Sequence, residues 1–135
     1  MWAISVQQPF AFFIININKD VENRTWQPKG IKAGDRLAIV ASKKWHEYYC
    51  SGGVVYWKGI SNILRQNNRD PNRVIRPIDF MLGGLIGTVL FNGVTKTSNS
   101  KWAIEGQCHW LLSDPQPLPF RPVKGQLGLY QIDLT

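Results

Sequence analysis

The chain has 135 residues, of which 44% are apolar and 12% aromatic. That is one domain's worth of sequence, with enough apolar side chains to build a core without disulfides or metals. Intrinsic disorder is excluded for most of it, and no apolar run reaches the ~18 residues of a membrane-spanning helix. Sixteen Lys and Arg face nine Asp and Glu, a net charge of +7. The excess is localised: residues 19–76 hold twelve basic and five acidic side chains, and the rest is balanced. A localised positive charge suits a polyanionic partner, although charge also serves solubility alone.

In chain order, Trp2, Ile4 and Val6 alternate with small or polar residues and predict a half-buried strand. The opening stretch, MWAISVQQPFAFFIINI, has no preceding Lys or Arg and no small-residue cleavage site, so it reads as part of the fold rather than a signal peptide. Pro9 suits a first helical turn. Phe10, Phe13, Ile14 and Ile17 follow at helical spacing, predicting a short helix over about 9–17 that Asn16 or Asn18 can end. Residues 19–35 are turn-rich, with Pro28, Gly30 and Gly34. Arg36–Ala41 reads as a buried strand, after which Ser42 can cap a helix from Lys43 that Gly52-Gly53 interrupts. Val54, Trp57, Ile60, Ile63 and Leu64 predict a second helix over about 54–66. Residues 66–78 read as an exposed basic loop, the segment expected to move most.

The remainder reads as β structure: a strand over Leu85–Phe91, a polar loop over 92–101, a strand over His109–Leu112 stopped at Asp114-Pro115, and a last strand over Gly128–Leu134. The PQPLPF stretch between them is too rigid for a central strand. One domain over residues 1–135 is expected, of class α+β: a small mixed β-barrel with helices packed outside.

Cys50 and Cys108 lie far apart, as do His46 and His109. They can form a zinc site only by long-range convergence of two short pairs with unusual spacing, so no metal is expected, and a reducing, cytoplasmic setting is. The densest polar cluster is Lys19-x-x-Glu22-x-Arg24-x-Trp26. In an extended segment, Glu22, Arg24 and Trp26 share one face. Lysine beside a carboxylate and a guanidinium can hold an anion, Glu22 can accept from the exocyclic amine of a base, and Trp26 can offer a stacking surface. The plain alternative is a surface ion pair beside a buried tryptophan. Ser42-Lys43-Lys44-Trp45 is a second candidate: a helix N-terminus with a hydroxyl and lysines suits phosphate, or Trp45 anchors the helix and the lysines are solvated. Trp57, Trp102 and Trp110 read as core rather than ligand platforms. There is no nucleophile elbow, phosphate-binding glycine loop or dinucleotide fingerprint.

Together these pieces resemble the ASCH domain, a family of PUA-like folds. Ile4-Ser-Val-Gln-Gln-Pro-Phe-Ala11 looks like its first strand and helix start, and Lys19-x-x-Glu22-Asn23-Arg24-Thr25-Trp26 like its Lys-x-x-Glu-x-Arg signature. Leu37–Trp45, Gly84-Leu-Ile-Gly87, Trp110-Leu-Leu and Gly125-x-Leu-Gly128-Leu look like its later strands. The resemblance implies a PUA-like β-barrel with a cleft beside the first helix that binds RNA, a nucleotide or a modified nucleoside. It implies Lys19, Glu22 and Arg24 as the site, with Trp26, Ser42, Lys43 and Trp45 as neighbours. Some members are hydrolases, so a metal-independent ribonuclease or modified-nucleoside amidohydrolase, with Lys19 as base beside Glu22, stands as the alternative. No cofactor and no membrane contact are expected, and the insert over about 54–78 offers a surface to a protein partner. Two positions depart from the family. Ile17 stands where a glycine is usual, and Glu22 stands where the amidase-type members carry a threonine. A carboxylate is a poor substitute for that hydroxyl nucleophile.

Overall fold

The computed structural model describes residues 1–73 and 78–134. Trp2–Gln8 forms strand β1 and Phe10–Asn16 helix α1. Pro9 supplies no side-chain cap. Gln8, fully buried, does that work: its Oε1 accepts the Phe12 N–H at 3.0 Å and its Nε2 donates to the Met81 carbonyl at 3.0 Å. Val21–Arg24 forms β2 and Arg36–Trp45 forms β3. Cys50–Ser51 and Val54–Val55 make a small hairpin, β4 and β5, followed by α2 over Trp57–Gln66. Two 3-10 turns, Pro71–Arg73 and Ile78–Phe80, precede the long strands β6 (Gly84–Thr95) and β7 (Cys108–Pro122) and the short β8 (Leu129–Gln131).

The main sheet has six strands in the order β2-β7-β6-β3-β1-β8, antiparallel except for the parallel pair β1 and β3. It is mixed and mostly sheet, as expected, but it is not closed into a barrel. The edge strands β2 and β8 do not pair, and the reason is local. β8 covers β1 only over Trp2–Ile4. Beyond that, the free edge of β1 meets a side chain: Arg24 Nη2 donates to the Ser5 carbonyl at 2.8 Å. A guanidinium stands where a closing strand would have put a backbone donor.

Three other expectations are corrected. Lys43–Trp45 continues β3 instead of opening a helix, because β1 runs on to Gln8 and Gln8 pairs with Trp45. Ser42 therefore caps no helix; its Oγ accepts the Lys44 N–H at 3.3 Å and donates to the Lys44 carbonyl at 3.0 Å. Gly52 and Gly53, at φ +57° and +79°, form the two-residue turn of the β4–β5 hairpin rather than a helix break. Finally, β7 runs through Asp114-Pro115 and the proline-rich stretch. β2 covers it only over Cys108–Leu111, so its proline-bearing half is an edge, where a missing N–H leaves no gap in a ladder. The exposed basic loop lies partly outside the described residues, which omit 74–77.

α1 is apolar nearly all round because it is covered on two sides. Ala11, Ile14 and Ile15 pack on the sheet with Ile4, Val6, Leu37, Ile39, Val89 and Trp110. Phe12, Phe13 and Ile17 pack on Ile60 and Leu64 of α2, with Tyr49 and Phe80. Gly87 admits the helix to the sheet: a Cβ there would stand 2.6 Å from the Gln116 carbonyl oxygen and 2.8 Å from Ile15 Cδ1. On the opposite face Ala3, Ala38 and Val40 cluster with Leu85 and Tyr130 of the neighbouring strands, and Val123, Ile132 and Leu134 pack against them. Within the 54–78 insert, α2 joins the core through Ile60 and Leu64, which are fully buried.

Candidate functional site

The turn after α1 sets the site. Ile17 has an ordinary φ of −130°, and Asn18 takes the left-handed conformation at φ 56°. Asn tolerates this without the usual glycine, and it lets the Lys19 N–H close on the Phe13 carbonyl at 2.9 Å. The Lys19 side chain then runs beneath the helix. Its Nζ lies 5.5 Å from the centre of the Phe10 ring, donates to the Val21 carbonyl, and reaches Glu22 Oε1 at 3.3 Å.

On β2, strand alternation turns Glu22 and Arg24 to the same face as that ammonium. Arg24 donates through Nε and Nη2 to Glu22 Oε2, at 2.9 and 2.7 Å. The side chains of Lys19 and Glu22 are 5% and 10% exposed, and that of Arg24 is 24% exposed. This is a largely dehydrated array of two cations on one carboxylate, not a surface pair.

The array floors a cavity of about 770 Å³ that opens along the unclosed seam of the sheet. Ser42, Lys44 and His46 enter from β3 and the residue after it, Phe10 from α1, and Tyr49 from the following turn. The far wall is the 101–104 loop with Trp102. Asn23, facing away from Glu22, holds that loop: its Nδ2 donates to the Trp102 carbonyl at 2.9 Å, and its Oδ1 accepts the Ile104 N–H at 3.0 Å and lies 2.9 Å from His109 Nδ1. Asp20 adds a hydrogen bond from Ser100 Oγ. Lys101 lies over the Trp102 ring at 5.5 Å and donates to Asn67 Oδ1 at 2.6 Å. Burial, and then the neighbouring Tyr48, raise the pKa of Tyr49 above its ordinary value.

Of the residues singled out from sequence, Lys19, Glu22, Arg24 and Ser42 line this cavity. Trp26, Lys43 and Trp45 do not. Trp26 packs edge-to-face on the buried Trp110 at 5.1 Å, and Trp45 packs on Phe80 at 5.3 Å. Lys43 lies along Gly83, its Cγ 3.4 Å from where a Cβ there would stand. Because 42–45 is strand, alternation sends Lys44 to the cavity and Lys43 to the other face. No local signal marks Trp102, Asn23 or Tyr49. Cys50 and Cys108 are free thiols, and among the described residues no cluster of three or more His, Cys, Asp or Glu could hold a metal. No helix among them is long and apolar enough to cross a membrane.

An open mixed sheet, a short helix laid on it and a Lys–Glu–Arg cleft beside that helix define the class. No protein-family model matches the chain, and no curated protein matches it in sequence. Solved structures do match. The ASCH protein of Zymomonas mobilis aligns over 98% of this chain and 87% of its own, at TM-score 0.55 and 16% identity. Two point variants of that protein align at the same TM-score, with 15% and 16% identity and 90% and 88% of their chains covered. The fold of this chain is ASCH-like.

Proposed function

We propose that this chain is a binding domain for RNA or a nucleotide, whose cavity reads a base or modified nucleoside through Lys19, Glu22 and Arg24. One observation carries the reading. The dehydrated Lys–Glu–Arg array, an aromatic wall of Trp102, Phe10 and Tyr49, and the exposed Lys44 and Lys101 all converge on one cavity. Counting lone pairs sharpens it. Glu22 Oε2 is filled by two Arg24 donors, whereas among the described residues Oε1 accepts only from Lys19. That leaves one acceptor site for a ring or exocyclic N–H, flanked by the Arg24 Nη1 donors for carbonyl or ring-nitrogen acceptors. The base lies against the aromatic wall, in place of the Trp26 surface expected from sequence, and its phosphate meets Lys44 or Lys101 rather than Lys43. The ASCH-like fold of the Zymomonas mobilis protein is consistent with this reading.

The test is anisotropy of a labelled RNA oligomer. Lys19→Ala with Arg24→Ala should weaken binding at least about 10-fold more than Lys29→Ala with Lys32→Ala, two exposed lysines away from the cavity. Equal losses would leave only generic electrostatics. Genuine phosphate contact also makes log affinity fall linearly with log salt, by about 0.7 per phosphate for a single strand.

The alternative, a metal-independent hydrolase with Lys19 as base, draws on the same floor of Lys19 and Glu22. Incubation with RNA and with acylated nucleosides, with and without EDTA, separates the two. Turnover that persists in EDTA and disappears in Lys19→Ala would establish the hydrolase.

A further inference from the structure

The aromatic wall of the cavity does not stop at its rim. Phe10 meets Tyr49 at 5.7 Å, Tyr49 meets Tyr48 at 4.8 Å, and Tyr48 meets Tyr56 at 5.9 Å, each edge to face. The first two of these rings line the cavity. The last two, Tyr48 and Tyr56, stand outside it on either side of the β4–β5 hairpin, 65% and 46% exposed, and Val54 on β5 is 73% exposed. Such a cluster of large apolar side chains in water requires an explanation.

The cluster is also held in place. Gly59, in the first turn of α2, makes room for it: a Cβ there would stand 2.6 Å from Tyr56 Cδ1 and Cε1. The Tyr56 N–H donates to the Tyr49 carbonyl at 2.7 Å, tying the exposed ring to the cavity wall. Lys44 on the cavity side and Lys58 on α2 are exposed, and among the described residues neither forms an ion pair.

We propose that Tyr48 and Tyr56 form a second stacking platform for a single-stranded polynucleotide that continues out of the cavity. Its bases lie on the two rings and its phosphates run past Lys44 and Lys58. The proposal rests on the cavity being a base site, which fixes where the strand begins. Charge complementarity selects the occupant: the chain carries a net +7, and aromatic rings interleaved with lysines are what a flexible, unpaired strand requires. A duplex hides its base faces and gains nothing from the tyrosines.

The experiment compares a labelled six-nucleotide RNA of mixed sequence, the DNA of the same sequence, the RNA duplex, and each nucleoside 5′-monophosphate. Tyr48→Ala and Tyr56→Ala should each weaken the single-stranded six-mers about 10-fold and leave monophosphate affinity unchanged. Tyr48→Phe and Tyr56→Phe, which keep the ring, should bind as wild type does. The RNA and DNA arms identify which sugar the platform accepts. Six-mer affinity that is unchanged in both alanine variants, or no greater than that of a monophosphate, would overturn the platform while the cavity reading stands. The same holds if the duplex binds as well as the single strand. Failure of both monophosphates and six-mers to bind wild-type protein would overturn the cavity reading itself.

Discussion

Replacing Glu22 with Gln keeps the shape of the side chain and removes its charge. Glu22 Oε1 is 3.3 Å from Lys19 Nζ, and Oε2 is 2.9 and 2.7 Å from Arg24 Nε and Nη2. At 3.3 Å the attraction between unit charges is about 5 kcal/mol at an effective dielectric of about 20, most of it offset by the water both groups have lost. The loss on mutation is therefore not that attraction. It is the cost of leaving Lys19, 5% exposed, and Arg24, 24% exposed, facing each other without an anion. Removing one member of a fully buried pair costs about 3–5 kcal/mol. Arg24 recovers part of its hydration here, and Lys19 keeps the Val21 carbonyl, so about 2–4 kcal/mol is expected. For a domain of this size that lowers Tm by about 6–20 °C. Urea unfolding of Glu22→Gln, of Lys19→Met and of the double variant closes a cycle whose coupling should exceed about 1 kcal/mol. A loss below about 1 kcal/mol in Glu22→Gln, with no coupling, is what solvated surface pairs give, and it would refute the dehydrated array.

Asn23→Ala removes two hydrogen bonds to the cavity's far wall and a third contact to His109 on β7. It should cost about 2–3 kcal/mol, and amide exchange at Ile104 should speed up more than at Val89 in the core; equal change at both would mean global destabilisation only. Gly87→Ala forces a Cβ to within 2.6 Å of the Gln116 carbonyl oxygen and should cost more than about 2 kcal/mol by chemical denaturation. Gly52→Ala, with open space around it but φ +57°, should cost only about 1 kcal/mol; the reverse order would refute the packing of α1 on β6. Tyr49 ionises above its ordinary 10.0 when folded, so the unfolded chain gives up that proton first. Its contribution is therefore complete below about pH 10 and lost as pH rises through the folded value. Tyr49→Phe should flatten this alkaline decline in stability, and a decline of unchanged steepness would show that other groups cause it.

The Lys–Glu–Arg cluster was legible because two of its three members obey a rule of one strand. Glu22 and Arg24 are two apart, and β2 is extended. Lys19 joins them through a turn that the sequence announced only as an asparagine able to take a positive φ. What was not legible depended on partners distant in sequence. Ser42 followed by Lys43 and Glu47 looks like a helix start in isolation. The pairing of Gln8 with Trp45, more than thirty residues apart, overrides it, and with it goes the choice between Lys43 and Lys44. The prolines of β7 signal a break only if the strand is central, and whether it is central depends on how short β2 is. Trp102 is placed by Asn23, 79 residues earlier in the chain, so no window of sequence could have aimed it at the cavity.

The missing barrel closure and the site have the same origin. Had a strand covered β1 beyond Ile4, the Ser5 carbonyl would have found a backbone N–H and the seam would have filled with ladder. Instead Arg24 spans it, and a guanidinium can do what a ladder cannot: satisfy Ser5 and Glu22 at once while keeping further donors. The reading of these charges as a structural ion pair and the reading of them as a binding site are thus not rivals. If the proposed base site holds, the contacts that keep the open edge together also fix Lys19, Glu22 and Arg24 before a ligand arrives, and that prior ordering reduces what binding must spend on immobilising them.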